Sequence, residues 1–164
     1  MFDAFLKVTD IPGESTDDKH KDWIEVLSYS WGNSQTPSGT PSSGGGASAE
    51  RADFQDLTVT KAIDKATAKL ALACADGTHI KEVLLALHRA GGQKEKYMEY
   101  KLTHCMITSV QQGGAAEGQE TLPIEEVSFN YGKVELLYVQ QKRADGSGGG
   151  QMKAGWDLEK NAPC

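Results

Sequence analysis

Apolar and polar residues alternate along most of this chain, and the interruptions are as informative as the runs. Leu57, Val59 and Ile63 share one parity, with threonine and alanine on the other, so 57–63 reads as a half-buried strand. Lys65 to Ala75 is built from helix formers instead. Asp64 or Thr67 can cap this helix, and Asp76-Gly77 ends it, because glycine enters the left-handed C′ conformation without penalty. Its surface is small or apolar nearly all round, which predicts a plug helix buried in an otherwise β protein.

The remaining apolar runs are strand-like. Phe2 to Thr9 is closed by the turn residues Asp10-Ile11-Pro12-Gly13, and Glu14 to Asp22 is a charged loop. Trp23 to Gly32 follows, with Leu27, Tyr29 and Trp31 on one face and Ser28 and Ser30 on a wet one. His79 to Ala90 carries helix-forming residues, yet the Gly91-Gly92 turn and the next run favour a strand in a hairpin. Tyr97 to Val110 is a long strand, with Met98, Tyr100, Leu102 and Met106 on one parity. Between Ile124 and Gln140 the parity changes: Val127, Phe129 and Tyr131 are odd, Val134, Leu136 and Tyr138 even. Gly132 sits at the break and predicts a bulge or sharp bend. Gly155 to Glu159 reads as a last short strand anchored by Trp156. Three glycine-bearing loops, 33–49, 111–120 and 143–150, separate these elements. The first, built from Ser, Thr, Gly and Pro, cannot bury enough apolar surface to order itself. About seven strands and one helix predict a mainly β fold, a small barrel or sandwich.

Composition narrows the function. A length of 164 residues suits one domain, spanning 1–164. A net charge of −6, with Lys142-Arg143 the densest basic site, excludes a nucleic-acid interface. Cys74, Cys105 and Cys164 make no disulfide framework, which suits folding in a reducing cytoplasm. The opening residues lack a secretory signal, and no stretch reaches transmembrane length.

Chemistry is sparse. His20, His79, His88 and His104 have no paired-ligand spacing, so no metal is expected. His104 shares parity with Leu102 and Met106 and reads as a partly buried structural histidine. Cys74 beside His79 reads as a packed thiol and not a nucleophile. Gly44-Gly45-Gly46 and Gly148-Gly149-Gly150 lack the flanks of a phosphate loop. Glu125-Glu126 reads as a solvated strand end. No catalytic residue and no cofactor follow from these patterns.

A set of collinear motifs runs through the chain. The central one is Ile24-Glu25-Val26-Leu27-Ser28-Tyr29-Ser30-Trp31-Gly32. Before it come Asp3-x-Phe5-Leu6-Lys7-Val8 and Gly13-Glu14-Ser15. After it come Lys61-x-Ile63-Asp64-Lys65-x-Thr67, then Arg89 with Gly91-Gly92, and Glu126-Val127-Ser128-Phe129-Asn130-Tyr131. Gly155-Trp156-Asp157-Leu158 with Asn161 closes the set, which covers essentially the whole chain. Together these motifs resemble the haemolysin-coregulated proteins, Hcp, of the type VI secretion system. The leucine-rich Val83-Leu84-Leu85-Ala86-Leu87 and the tail at Cys164 depart from the family pattern.

The resemblance implies a small closed β-barrel with one short α-helix packed at its side, similar to phage tail-tube proteins. It implies homohexameric rings that stack into a hollow tube, driven by contractile sheath proteins and tipped by a spike protein. Small effector proteins ride in the lumen, which the wet face of Ser28 and Ser30 would line. Synthesis in the bacterial cytoplasm would be followed by secretion through the type VI apparatus, without membrane insertion. The family uses an extended loop after its Trp-Gly strand for ring stacking. Here that role falls on Gln35, Thr36, Pro37, Ser38, Gly39, Thr40, Pro41, Ser42, Ser43, Gly44, Gly45 and Gly46. The competing readings are a monomeric ligand-binding barrel and a cysteine-dependent hydrolase, separable by particle mass and by thiol reactivity.

Overall fold

Two eighteen-residue strands carry the architecture of the computed structural model. They are the antiparallel pair β10 (Lys96–Gly113) and β11 (Ile124–Gln141), in register from Met98↔Tyr138 to Gly113↔Ile124 apart from one bulge near Thr108. The described residues are 1–38, 48–49, 51–90, 95–118, 122–141 and 148–164. Within them β1 (Phe2–Val8), β2 (Ile24–Val26), β3 (Ser28–Ser30), β4 (Asn33–Ser34) and β5 (Pro37–Ser38) come first. Next are β6 (Ser48–Ala49), β7 (Asp53–Phe54), β8 (Leu57–Ala62), α1 (Thr67–Asp76) and β9 (Ile80–Arg89). After the long pair come β12 (Gly148–Asp157) and β13 (Ala162–Pro163). The protein is mainly β with one short helix.

The long pair branches half-way. From Ile124 to Phe129, β11 is flanked by β8; from Lys133 onward the same edge is taken by β12. The change falls at Gly132, where the parity of buried side chains also changes, from Val127, Phe129 and Tyr131 to Val134. Opposite it, β10 makes the same change, from Tyr100 and Leu102 to Cys105 and Ile107. His104, with φ 56°, absorbs the step on that side. Both strands therefore flip together and their register survives. A Cβ at Gly132 would stand 2.7 Å from Glu159 Oε1 and 3.3 Å from His104 Cβ, so a side chain here would displace the exposed Glu159 carboxylate and crowd His104.

β10 continues through β9 to β1 and β2, and β8 pairs with β3. The ladders do not close into a continuous barrel among the described residues. β2 faces β1, β3 faces β8, and the exposed Leu27 stands between them, its N–H donating to Thr60 O at 2.8 Å. The curl closes through the chain, because one extended run changes partner at Leu27. The core inside it is aliphatic, with Leu6, Ile24, Leu57, Leu70, Val83, Leu85, Leu102 and Phe129 fully or almost fully buried.

Several expectations change here. The helix is no plug. Leu70 and Ala73 face the core, while Leu72 is 64% exposed. Composition reports what a helix could bury, but only one side of α1 finds a sheet to cover it. Its cap arises next door: Asp64 Oδ1 accepts from the Ala66 N–H at 2.9 Å, and the Asp64 N–H donates to Thr67 Oγ1. Leu27, expected on the packed face, is 63% exposed because the strand breaks there. His104, expected partly buried, is exposed because the parity flips at it. β12 begins at Gly148, so part of the expected third loop is strand, and its other residues, 143–147, lie outside the described residues.

Candidate functional site

The exposed side of β3, β8 and the first half of β11 forms one hydroxyl-rich face. Leu57 and Val59 point inward, so Thr58 and Thr60 point out. Register then places Ser30 beside Thr58, Thr58 beside Ser128 and Ser128 beside Ser109; Ser28, Thr60, Glu126 and Gln111 form the adjoining row. Ser28 and Ser30 are exposed. Thr58 Oγ1 and Ser128 Oγ share a hydrogen bond of 2.9 Å, and Asp56 accepts from Thr108 Oγ1 at 2.7 Å and Asn130 Nδ2 at 3.1 Å. Such a surface offers many weak donors and acceptors with little net charge. It can hold varied polar partners in water.

Behind Ser30 the chain is anchored by aromatics. Trp31 Nε1 donates to Tyr131 Oη at 2.7 Å, and Tyr131 Oη donates to Gln55 O at 2.6 Å. Burial pushes the Tyr131 phenol up to about 12, so it stays protonated and able to donate. Phe54 packs on Trp156 with ring centroids 6.3 Å apart. Trp31 and Phe54 flank the long loop, whose base is more ordered than composition implied. β4 pairs with β7, and beyond Gln35 and Thr36 the strand β5 pairs with β6. Gln35, Thr36 and Pro37 are exposed, whereas 39–46 lie outside the described residues.

A second cluster escaped the sequence reading. Glu125 is no solvated strand end: it is 1% exposed, and directly across the ladder is Lys61, 0% exposed. Lys61 Nζ donates to Glu125 Oε1, and to Asp64 Oδ1 at 2.9 Å. Thr67 Oγ1 and Gln112 Nε2 also donate to Glu125, at 2.8 and 3.1 Å. Burial alone would raise the Glu125 carboxyl, but the bonds from Lys61, Thr67 and Gln112 outweigh it and hold the carboxyl below the usual carboxylate range. The cluster ties β8, α1, β10 and β11 together.

That depressed carboxyl sets a pH dependence. Its stabilisation is complete above the ordinary glutamate value, about 4.3, and is lost as pH falls through the lower folded value. Glu125→Gln is expected to be less stable at pH 7 and to lose less of its remaining stability between pH 5 and 3. Urea midpoints across that range check this; parallel losses for both proteins would contradict it.

The cysteine reading finds little support. Cys105 is fully buried, and burial pushes its thiol up to about 12, leaving almost no thiolate. His79 lies against His104, 3.3 Å between ring nitrogens. Among the described residues no cluster of three or more His, Cys, Asp or Glu side chains is set to hold a metal. No helix of the described residues is long and apolar enough to cross a membrane.

Comparison with known proteins decides the family. The profile described as "Type VI secretion system effector, Hcp" matches residues 5–138. The chain belongs to the Hcp family. The Hcp relationship extends over the full length: protein hcp1 of Pseudomonas aeruginosa is 39% identical over 160 residues, covering 97% of this chain and 96% of that protein. Among solved structures, one described as a type six secretion system protein superposes with TM-score 0.93 at 36% identity, each chain covered completely. Hcp1 from Salmonella typhimurium superposes with TM-score 0.81 at 31% identity, again with complete coverage of both. This chain is thus an Hcp protein with the Hcp fold, and its family is structural and secreted.

Proposed function

We propose that this Hcp protein is the ring subunit of a type VI secretion tube. One domain over 1–164 assembles into homohexamers, the rings stack, and the hollow tube carries small effector proteins. Its partners are further copies of itself, the spike protein and the contractile sheath, and it leaves the cell through that apparatus. The observation that carries the reading is the hydroxyl-rich face around Ser28 and Ser30, on a chain that matches Hcp proteins end to end. A tube lining must release what it carries. Neutral hydroxyls suit that, since each contact exchanges for water at little net gain.

Cargo binding at this face is tested by Ser30→Gln. Ser30 is exposed, so the substitution leaves the core untouched and is expected to keep ring and melting temperature. The longer side chain crowds the lumen, and effector recovered with purified rings is expected to fall severalfold. Unchanged effector recovery would move the cargo surface elsewhere, and an unfolded variant would contradict the orientation of β3.

A further inference from the structure

We propose that His79 and His104 form a two-histidine site for a divalent transition-metal ion, with Zn2+ the best geometric match. The two side chains come from neighbouring strands. His79 immediately precedes β9, and His104 lies in β10 between Thr103 and Cys105, which pair with Glu82 and Ile80 of β9. Those pairs fix both backbones, and His79 Nε2 stands 3.3 Å from His104 Nδ1. Two imidazole nitrogens bound to one tetrahedral Zn2+, each at about 2.0–2.1 Å, stand roughly 3.3–3.4 Å apart. A hydrogen bond between the rings would be best nearer about 2.9–3.0 Å. The pair meets the geometry of a hydrogen bond between the rings, and the same separation suits two nitrogens on one ion.

His104 is also a backbone outlier. Its φ of 56° puts a non-glycine residue in the left-handed region, a strain that persists only where surroundings impose it. The strain turns the imidazole out beside His79, and both histidines are exposed, so an ion has free access. Glu159 lies on the His104 side of the pair. Its Oε1 and His104 Cβ lie 2.7 and 3.3 Å from the point where a Gly132 Cβ would stand. The two imidazoles are the protein ligands proposed, and water fills the positions left. Imidazole with water or carboxylate suits Zn2+ and disfavours Mg2+, which prefers an all-oxygen shell.

The test is calorimetric titration of Zn2+ into the full chain carrying Cys164→Ser, which removes an exposed thiol able to bind the same ion. One saturable ion per subunit is expected, with no such binding of Mg2+. His79→Ala and His104→Asn are each expected to weaken Zn2+ binding at least tenfold. Asparagine is chosen because it tolerates the left-handed backbone at 104. Should His104→Asn fail to fold, the exposed His79→Ala decides alone. Absent saturable binding, or Zn2+ binding unchanged by His79→Ala, would overturn the proposal.

Discussion

Lys61→Met is expected to destabilise the subunit by about 3–5 kcal/mol, the usual cost of stripping one partner from a buried ion pair. Lys61 and Glu125 are both out of contact with water, and Asp64 reaches the same ammonium. Methionine fills the space but leaves the Glu125 carboxylate with only Thr67 and Gln112, neither of which carries charge. The loss is a large fraction of the roughly 5–15 kcal/mol that holds an ordinary domain folded. The double variant Lys61→Met/Glu125→Leu removes the stranded charge and is expected to recover most of the deficit, since an apolar replacement of a whole buried pair is often neutral. Urea unfolding of the three proteins gives the answer. A single variant within 1 kcal/mol of wild type, or a double variant worse than the single, would refute this account of the cluster.

Removing Thr36 to Gly46 is expected to abolish tubes while sparing the subunit. The deletion takes β5 from its two-residue ladder with β6, but leaves β4 and β7 paired and Trp31 and Phe54 packed. No large apolar side chain is lost, and closing a shorter loop recovers about 0.6 kcal/mol per halving of length. The melting temperature should stay close to wild type. Stacking differs from ring closure, because a ring needs an interface that closes while stacking needs one that stays open-ended. Single rings without tubes are therefore expected by electron microscopy. Long tubes from the shortened protein, or a much lower melting temperature, would assign the loop another role.

Much of this fold is legible in the hydrophobic pattern, and the failures share a cause. The parity break around Gly132 marks the point where β11 exchanges β8 for β12. Helix propensity in β9 is overridden because β1 and β10 pair with both its edges. Where the pattern misleads, an uninterrupted parity is carried past a point at which the backbone turns, as at Leu27 and His104. The buried ion pair is different. Lys61 shares the parity of Leu57 and Val59, and Glu125 that of Val127 and Phe129, so the signal is present. A charge on a buried parity still reads as a strand end until the register shows its partner opposite. The hydroxyl face is half legible: Ser28 and Ser30 are exposed as their parity implies, but Thr58 and Ser128 join them only through register.

The ring itself is open to one direct measurement, sedimentation of the purified protein at micromolar concentration without added metal. A single species of about six times the chain mass, seen as closed rings by negative-stain microscopy, is the expected result. A protein that sediments only as monomer would contradict the tube-subunit reading.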